Sequence, residues 1–282
     1  MKLRAYAKIN LGLKVIGKRE DGYHNLEMIM INVNLFDTLK FKLNSKISVS
    51  MNKNICEMEK NIVYKTAKYI KEKYNVEKGV NIIIHKRIPD GGGMGGGSSD
   101  AATTIIALNK LWDLKLTRKD MYEIAEHMGS DVPFFILNRL AVVKGRGEIV
   151  EPINKNIDSK IIIALPNMKC STKEIFENYV KEENENDINN IYNALDNEYY
   201  KFLFNDLEKT VMNLYPGYIL KNIKNDVEKK FDCKVLMSGS GSSFFVLGKK
   251  RMNKIYKYIR KRYPGLNIIK SEMISYCKHK TN

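Results

Sequence analysis

Six of the chain's 18 glycines lie in one short tract between Gly91 and Gly97. The β-branched segment 80–85 precedes this tract, and apolar residues recur at helical spacing in 101–112 after it. Successive glycine N–H groups can surround an anion, and the N-terminus of the following helix adds its positive dipole end. The tract therefore predicts a phosphate-binding loop between a strand and a helix that starts near Ser99.

The alternative is a flexible loop in which Ser98 or Ser99 is an ordinary helix N-cap. Glycines 91, 93 and 96 satisfy the dinucleotide fingerprint, but only because the run is so rich in glycine. Ser98 stands where a Walker loop needs its lysine, and the protein-kinase motifs V-A-I-K, H-R-D and D-F-G do not follow. We therefore predict a nucleotide-phosphate loop of another type, with serine hydroxyls available to Mg²⁺.

The rest of the chain mixes strand and helix patterns. Strands are predicted at 2–15, where apolar and polar residues alternate, and at 26–33, 38–49, 80–85, 141–143, 149–150, 161–165, 234–237 and 244–247. Helices are predicted at 61–74, 101–112, 118–128, 206–214, 218–231 and 252–263. Residues 155–159 are polar and aperiodic, and we place a boundary there that divides the chain into domains 1–157 and 158–282.

The chain has 282 residues, of which 44% are apolar, and this suffices for one large or two moderate cores. It contains no apolar stretch of membrane-spanning length and no secretory pattern. The four cysteines form no C-x-x-C pair and the four histidines no metal-binding pattern. We therefore expect a soluble, cytoplasmic protein without a membrane partner and without a transition metal of its own.

The formal charge of +16 attracts phosphates of any kind, whether on nucleotides or on nucleic acid. A simple compositional bias toward lysine explains this charge equally well, because no basic block concentrates it. Charge alone therefore leaves a basic nucleic-acid-binding module open as an alternative.

Two segments resemble motifs of the GHMP kinase superfamily: residues 89–99 (PDGGGMGGGSS) its second motif, and residues 237–243 (MSGSGSS) its third. Within the superfamily, residues 5–11, 19–26 and 129–135 resemble the kinases that act on 4-diphosphocytidyl-2-C-methyl-D-erythritol. The resemblance implies an α+β, two-domain GHMP kinase fold, with an S5-like N-terminal domain, a ferredoxin-like C-terminal domain and the active cleft between them. The departures are Asp90 after the proline, Ser130 in place of the usual alanine, and residues 182–197, which show no motif.

The resemblance also implies an ATP site supplied with Mg²⁺. Its residues would be Pro89, Gly91, Gly92, Gly93, Met94, Gly95, Gly96, Gly97, Ser98 and Ser99. Asn61 would contact the adenine or simply cap a helix, and Lys86 would reach the nucleotide phosphates or merely water. Ser98 is the candidate Mg²⁺ ligand. The carboxylate of Asp90 would repel a triphosphate, so we expect it to point outward.

Asp131 is the candidate catalytic base, because a kinase that acts on an alcohol needs a group to take the hydroxyl proton. The alternative is a helix N-cap, since Pro133 follows closely. Lys8, on a strand with an apolar opposite face, would hold Asp131 ionised and offset charge on the transferred phosphoryl group. Its alternative is a solvated lysine. Asn10 faces the same side as Lys8 and would hydrogen-bond the sugar-alcohol part of the substrate.

Tyr23 and His24 follow an Asp-Gly turn, which places an aromatic ring and an imidazole at a loop tip. The resemblance implies that both read a cytosine, with Phe176 on the opposite side of the base. Tyr23 and Phe176 also suit an ordinary core position. Ser240 lies in the serine- and glycine-rich loop 238–243, which would approach the substrate or form a plain hairpin.

The implied activity is transfer of a phosphoryl group from Mg·ATP to the 2-hydroxyl of the cytidyl substrate, in non-mevalonate isoprenoid precursor biosynthesis. The alternatives are another GHMP small-molecule kinase, acting on mevalonate, homoserine or a sugar, and the nucleic-acid-binding module. The turn at Asp21–His24 argues against the first. We expect two small-molecule partners, no nucleic acid, and a monomer or weak homodimer.

Overall fold

A computed structural model describes residues 1–53, 56–183 and 185–276. Cys277, His279 and one position of the stretch 182–197 lie outside the described residues. The strands are β1 (Lys2–Lys18), β2 (His24–Asn44), β3 (Ser48–Met51), β4 (Gly79–His85), β5 (Ala141–Gly145), β6 (Ile149–Pro152), β7 (Lys160–Leu165), β8 (Phe204–Asn205), β9 (Cys233–Met237), β10 (Phe244–Gly248) and β11 (Asn267–Ile274). The helices are α1 (Ile62–Lys73), α2 (Gly96–Leu111), α3 (Arg118–Met128), α4 (Val132–Leu137), α5 (Thr172–Glu177), α6 (Ile188–Ala194), α7 (Glu208–Leu214), α8 (Leu220–Lys230) and α9 (Met252–Arg262).

The strands are hydrogen-bonded in the order β3-β4-β2-β11-β7-β10-β9, with β1, β5, β6 and β8 off this path. Strand β11, which the sequence patterns did not predict, joins the two halves of the chain. It pairs antiparallel with β7 along Asn267–Glu272 and with β2 at Met273 and Ile274. Strands from both halves therefore meet at β11. The division at residues 157 and 158 stays a prediction.

Strand β1 is buried on both sides over most of its length, whereas the alternating pattern predicts one apolar face. Leu3 and Ala5 belong to one core cluster, but Ala7, Ile9 and Leu11 belong to a second cluster. The pairing of β1 with β2 shifts between residues 6 and 7 and again between 10 and 12. The first shift places extra residues in β2, and the second places one extra residue in β1 at position 11. Residues 8 and 10 lie before the bulge in β1, and they are buried because both faces of this strand are covered.

Strand β2 runs without interruption through residues 34–37, where the sequence pattern predicts a break between two strands. Tyr6 pairs with Phe36 while Ala7 pairs with Val33, so β2 carries extra residues at a bulge there. These extra residues interrupt the apolar alternation of the sequence. The strand predicted at 38–49 also ends in the wrong place. Strand β2 stops at Asn44, and β3 pairs separately with β4.

Helix α2 begins at Gly96 rather than near Ser99, so the second half of the glycine tract forms its first turn. Helix α3 begins as predicted, because Thr117 and Asp120 form a capping box, and it ends at Gly129. The stretch without a motif contains α6, whose Ile188 and Ile191 belong to the second core cluster. Within the described residues, no helix combines the length and apolarity that a membrane crossing requires.

Candidate active site

Lys8 and Asp131 meet in a cleft of about 680 Å³. The Nζ atom of Lys8 lies 3.8 Å from Oδ2 of Asp131, and the two side chains are 4% and 33% exposed. Asn10 orients the ammonium, because its Oδ1 accepts a hydrogen bond of 2.7 Å from Lys8 Nζ. The solvated lysine is therefore excluded, and the pair presents one accessible carboxylate beside a buried cation.

Asp131 occupies the residue before α4, with Pro133 in the first turn, but its side chain forms no capping hydrogen bond. The helix therefore does not engage the carboxylate, and its oxygens are directed to Lys8 and the cleft. This observation weakens the alternative in which Asp131 is only a helix cap. The assignment of Asp131 as a base stays a prediction.

Lys8 is enclosed by the two glycine-rich loops. A Cβ atom on Gly95 would lie 3.2 Å from Lys8 Cγ, and one on Gly239 would lie 3.1 Å from Lys8 Nζ. Burial lowers the pKa of Lys8 below 10.5, while the charge of Asp131 opposes this shift. Its ammonium therefore depends on Asp131 for its electrostatic stabilisation.

The loop 238–243 packs directly against the glycine tract. Ser238 Oγ donates a hydrogen bond of 3.1 Å to the carbonyl of Gly93, and Ser243 N–H donates one of 3.2 Å to the carbonyl of Gly92. Gly93 has a φ of +70°, and a Cβ atom there would lie 2.1 Å from the carbonyl oxygen of Ser238. Only glycine fits this contact, which holds the two loops together beside Lys8.

The glycine tract presents its amides at the start of α2. The first bond of this helix runs from Ser99 N–H to the carbonyl of Gly95 at 2.9 Å, so the amides of the preceding residues have no acceptor within the helix. Gly97 is exposed and Ser98 is half-buried, whereas Met94 and Ser99 are buried. The exposed amides suit a phosphate. Ser98, rather than Ser99, is the serine whose hydroxyl is accessible.

Lys86 was predicted to reach the nucleotide phosphates or merely water, but its side chain does not extend toward the cleft. Its side chain is 7% exposed, and its Nζ pairs with carboxylate oxygens of Asp37 and Asp100, the latter at 2.7 Å. Burial lowers the pKa of Lys86, but the charges of Asp100 and Asp37 outweigh burial and raise it. A cation that is already bound to two carboxylates supports the glycine tract from beneath, and a direct contact with nucleotide stays only a prediction.

This cluster of Asp37, Lys86 and Asp100 was missed by the sequence patterns. Asp37 Oδ1 also accepts hydrogen bonds from the amides of Arg87 and Ile88, which lead into the glycine tract. Burial raises the pKa of Asp100 to about 7, against the effect of the Lys86 charge. The three charges therefore connect β2, the entrance of the tract and the first turns of α2.

Asn61 forms the N-cap of α1, because its Oδ1 accepts a hydrogen bond of 2.8 Å from Val63 N–H. The structure therefore contains the helix cap that was the alternative reading of Asn61, and its contact with adenine stays a prediction. Asn61 and Lys86 do not line the cleft that contains Lys8 and Asp131.

The aromatic residues Tyr23, His24 and Phe176 line the same cleft. His24 stacks on Phe176 with ring centroids 5.1 Å apart, and Tyr23, 55% exposed, lies under the guanidinium of Arg146 at 5.0 Å. The resemblance implies that Tyr23 and His24 read a cytosine with Phe176 on the opposite side of the base, and this role stays a prediction. In this structure the His24 ring itself faces Phe176. Burial and the charge of Lys18 lower the pKa of His24, which favours a neutral imidazole.

Asp90 is exposed, and the expectation that it points away from bound phosphates stays a prediction. Its Oδ2 pairs with Lys169 Nζ at 2.9 Å on the exposed side of the tract. Ser240 lies on the cleft wall, and its Oγ shares a hydrogen bond of 2.8 Å with Thr172 Oγ1. Of the residues predicted from the sequence, those that line this one cleft are Lys8, Asn10, Tyr23, His24, Gly91, Gly93, Gly95, Asp131, Phe176 and Ser240.

The fold and the cleft define a small-molecule kinase of the GHMP class. Residues 61–139 match the family described as GHMP kinases N terminal domain. A solved 4-(cytidine 5'-diphospho)-2C-methyl-D-erythritol kinase superposes with a TM-score of 0.82 and 30% identity, over 97% of this chain and 99% of that one. A homoserine kinase from Cytophaga hutchinsonii has a TM-score of 0.74 at 18% identity over 98% and 95% of the two chains, and thus shares the fold.

Curated relatives indicate the family within the GHMP class to which this chain belongs. A 4-diphosphocytidyl-2-C-methyl-D-erythritol kinase of Thermodesulfovibrio yellowstonii is 39% identical over 86% of this chain and 88% of its own length. The kinase of the same name from Clostridium perfringens is 38% identical over 87% and 88%. The chain belongs to the family of 4-diphosphocytidyl-2-C-methyl-D-erythritol kinases.

Proposed function

We propose that the chain transfers the γ-phosphoryl group of ATP to the 2-hydroxyl of 4-diphosphocytidyl-2-C-methyl-D-erythritol, a step of non-mevalonate isoprenoid precursor synthesis. The observation that carries the proposal is the Lys8–Asp131 pair, 3.8 Å apart, in a cleft lined by the glycine tract and by the aromatic residues Tyr23, His24 and Phe176. The names of the curated relatives support the same acceptor.

In this reaction Asp131 accepts the proton of the 2-hydroxyl as its oxygen bonds to the γ-phosphorus. The bond between that phosphorus and the β–γ bridging oxygen breaks, and ADP leaves. Lys8 is buried beside both loops, where a fixed cation stabilises the charge that develops on the transferred group. Phosphoryl transfer requires positioning and charge more than covalent chemistry from the protein.

ATP would bind with its phosphates at the amides of Gly96, Gly97 and Ser98, which begin α2. No cluster of three or more His, Cys, Asp or Glu side chains suited to a metal ion occurs in the described ranges. Mg²⁺ would arrive with ATP, and the hydroxyl of Ser98 would be available to it as a ligand. When bound, Mg²⁺ neutralises phosphate charge.

The acceptor would lie along the cleft, with its base at the aromatic residues and its 2-hydroxyl at Asp131. Asn10 is fully buried, and its amide is engaged by Lys8 and by Met28 Sδ, 3.2 Å from Nδ2. It therefore acts on the sugar alcohol chiefly through the orientation of Lys8. Ser240 approaches the same space from the second loop.

An assay of ADP formation with each acceptor tests the proposal. We expect turnover with the cytidyl compound, and none with homoserine or mevalonate, whose kinases share only the fold at 16–18% identity. Turnover of homoserine or mevalonate, without turnover of the cytidyl compound, would reject the assignment. We further propose that the chain acts in the cytoplasm as a monomer or weak homodimer, without a nucleic acid or membrane partner.

A further inference from the structure

Arg146 is a cleft residue to which the sequence patterns gave no role. It lies at the tip of the hairpin between β5 and β6, flanked by two glycines with positive φ. The Arg146 amide donates a hydrogen bond of 2.6 Å to Glu148 Oε2, which closes the turn. Arg146 lines the same cleft as Asp131.

The hairpin tip is fixed against the segment that carries Asp131. Gly147 has a φ of +128°, and a Cβ atom on it would lie 2.4 Å from the carbonyl oxygen of Ser130. No larger residue fits this contact without moving the backbone. The backbone at Arg146 is therefore held beside the segment that carries Asp131, while its guanidinium lies over the Tyr23 ring.

Arg146 influences the carboxylate of Asp21 without pairing with it, because the pKa of Asp21 is lowered first by its hydrogen bond to Arg19 and more weakly by the charge of Arg146. In the part of the chain that the structure describes, no ion pair involves Arg146, and the nearby cleft carboxylate of Asp21 is paired with Arg19 at 3.0 Å. A guanidinium presents a planar set of donors that matches phosphate oxygens and is always charged. An unpaired guanidinium in a binding cleft is suited to an anionic ligand.

We propose that Arg146 is a specificity-determining residue that binds the diphosphate of the acceptor, between the base at Tyr23 and the reacting hydroxyl at Asp131. This inference rests on the proposed function, because it takes the acceptor to be a nucleoside diphosphate ester. It assigns the phosphate contacts of the acceptor to a residue outside the two glycine-rich loops. The γ-phosphate of ATP is not its target.

Substitution kinetics on the full chain test the role. Arg146→Gln removes the charge, Arg146→Lys keeps it without the planar donors, and Lys144→Gln is the matched control. Lys144 lies in the same hairpin but pairs with Glu151 at 3.2 Å, outside the cleft. We expect Arg146→Gln to raise the KM of the acceptor about 10- to 100-fold, the value of one or two charge-assisted hydrogen bonds, with the KM of ATP and kcat changed less than about threefold. The acceptor KM of Arg146→Lys should lie between those of wild type and Arg146→Gln, and the acceptor KM of Lys144→Gln should match that of wild type.

A second measurement separates phosphate binding from support of the Tyr23 ring. With a saturating non-hydrolysable ATP analogue present, the Kd values of CDP and of cytidine are measured for wild type and Arg146→Gln. We expect wild type to prefer CDP and the variant to lose about 10-fold or more of that preference while its affinity for cytidine is kept.

An equal loss for CDP and cytidine, or an unchanged CDP affinity, overturns the assignment of Arg146. Failure of the proposed function has a different signature, because wild type itself would then not phosphorylate the cytidyl acceptor.

Discussion

The buried cluster of Asp37, Lys86 and Asp100 gives the sharpest test of how the glycine tract is held. Lys86→Met keeps much of the side-chain volume but removes the cation that pairs with both carboxylates. Asp37 is fully buried and Asp100 is 3% exposed, so neither regains full hydration without local unfolding. Breaking a buried ion pair from one side costs about 3–5 kcal/mol, because the remaining charge is left without a partner.

This loss is a large share of the total stability of a protein, about 5–15 kcal/mol. In thermal unfolding it corresponds to a fall in Tm of roughly 5–15 °C. Urea unfolding followed by circular dichroism measures the free energy, with Lys119→Met as the matched control because Lys119 is exposed on α3. We also expect a higher KM for ATP, because the cluster connects the entrance of the tract to α2.

The double variant Lys86→Met, Asp37→Asn supplies an internal check. It should recover about 1–3 kcal/mol of the loss, because position 37 is then neutral and Asp100, whose pKa is about 7 even beside Lys86, takes up a proton when the cation is absent. If Lys86→Met unfolds within about 1 kcal/mol of the control, the cluster does not stabilise the tract and this reasoning is wrong.

Three further predictions concern the cleft. Burial lowers the pKa of Lys8, so its ammonium loses its proton at a pH below 10.5. We therefore expect kcat/KM to fall as the pH rises toward 10.5, and a profile that stays flat to pH 10.5 contradicts the role of Lys8. Gly93→Ala places a side chain against the carbonyl of Ser238 at a φ of +70°, and should cost about 1–3 kcal/mol in unfolding free energy and lower kcat/KM, whereas Gly217→Ala, which meets open space, should match wild type. Tyr23→Ala should weaken the cytidyl acceptor by about 1–3 kcal/mol, read as a higher KM with ATP unaffected; an unchanged KM would make the tyrosine structural.

The sequence predicts most helices and strands because their caps and periodicities are local. Thr117, Asp120 and Gly129 delimit α3 as their chemistry requires. The patterns fail where long-range pairing decides the structure. Both faces of β1 are covered, and the β1–β2 pairing shifts at bulges that no local signal marks, because they depend on the partner strand. Strand β11 was missed for the same reason, since its pairing with β7 and β2 is distant in the chain.

The candidate site was predicted unevenly. Lys8 and Asp131 were both predicted from the sequence, and the structure brings them together, although their chemical roles stay proposals. The burial of Lys86 could not be inferred, because its carboxylate partners lie 49 and 14 residues away and a lysine before a glycine tract looks like a phosphate ligand. For Arg146 a signal did exist: an arginine between two glycines in a tight hairpin.

The most direct test of the account is the activity of Asp131→Asn. The amide keeps the size of the side chain but cannot accept the hydroxyl proton, and the exposed Asp113→Asn is the matched control. We predict that kcat falls by roughly 10²- to 10⁴-fold, while the KM values for both substrates stay within about threefold of wild type. A kcat of Asp131→Asn within a few-fold of wild type would contradict the assignment of the cleft between Lys8 and Asp131 as the place where phosphoryl transfer occurs.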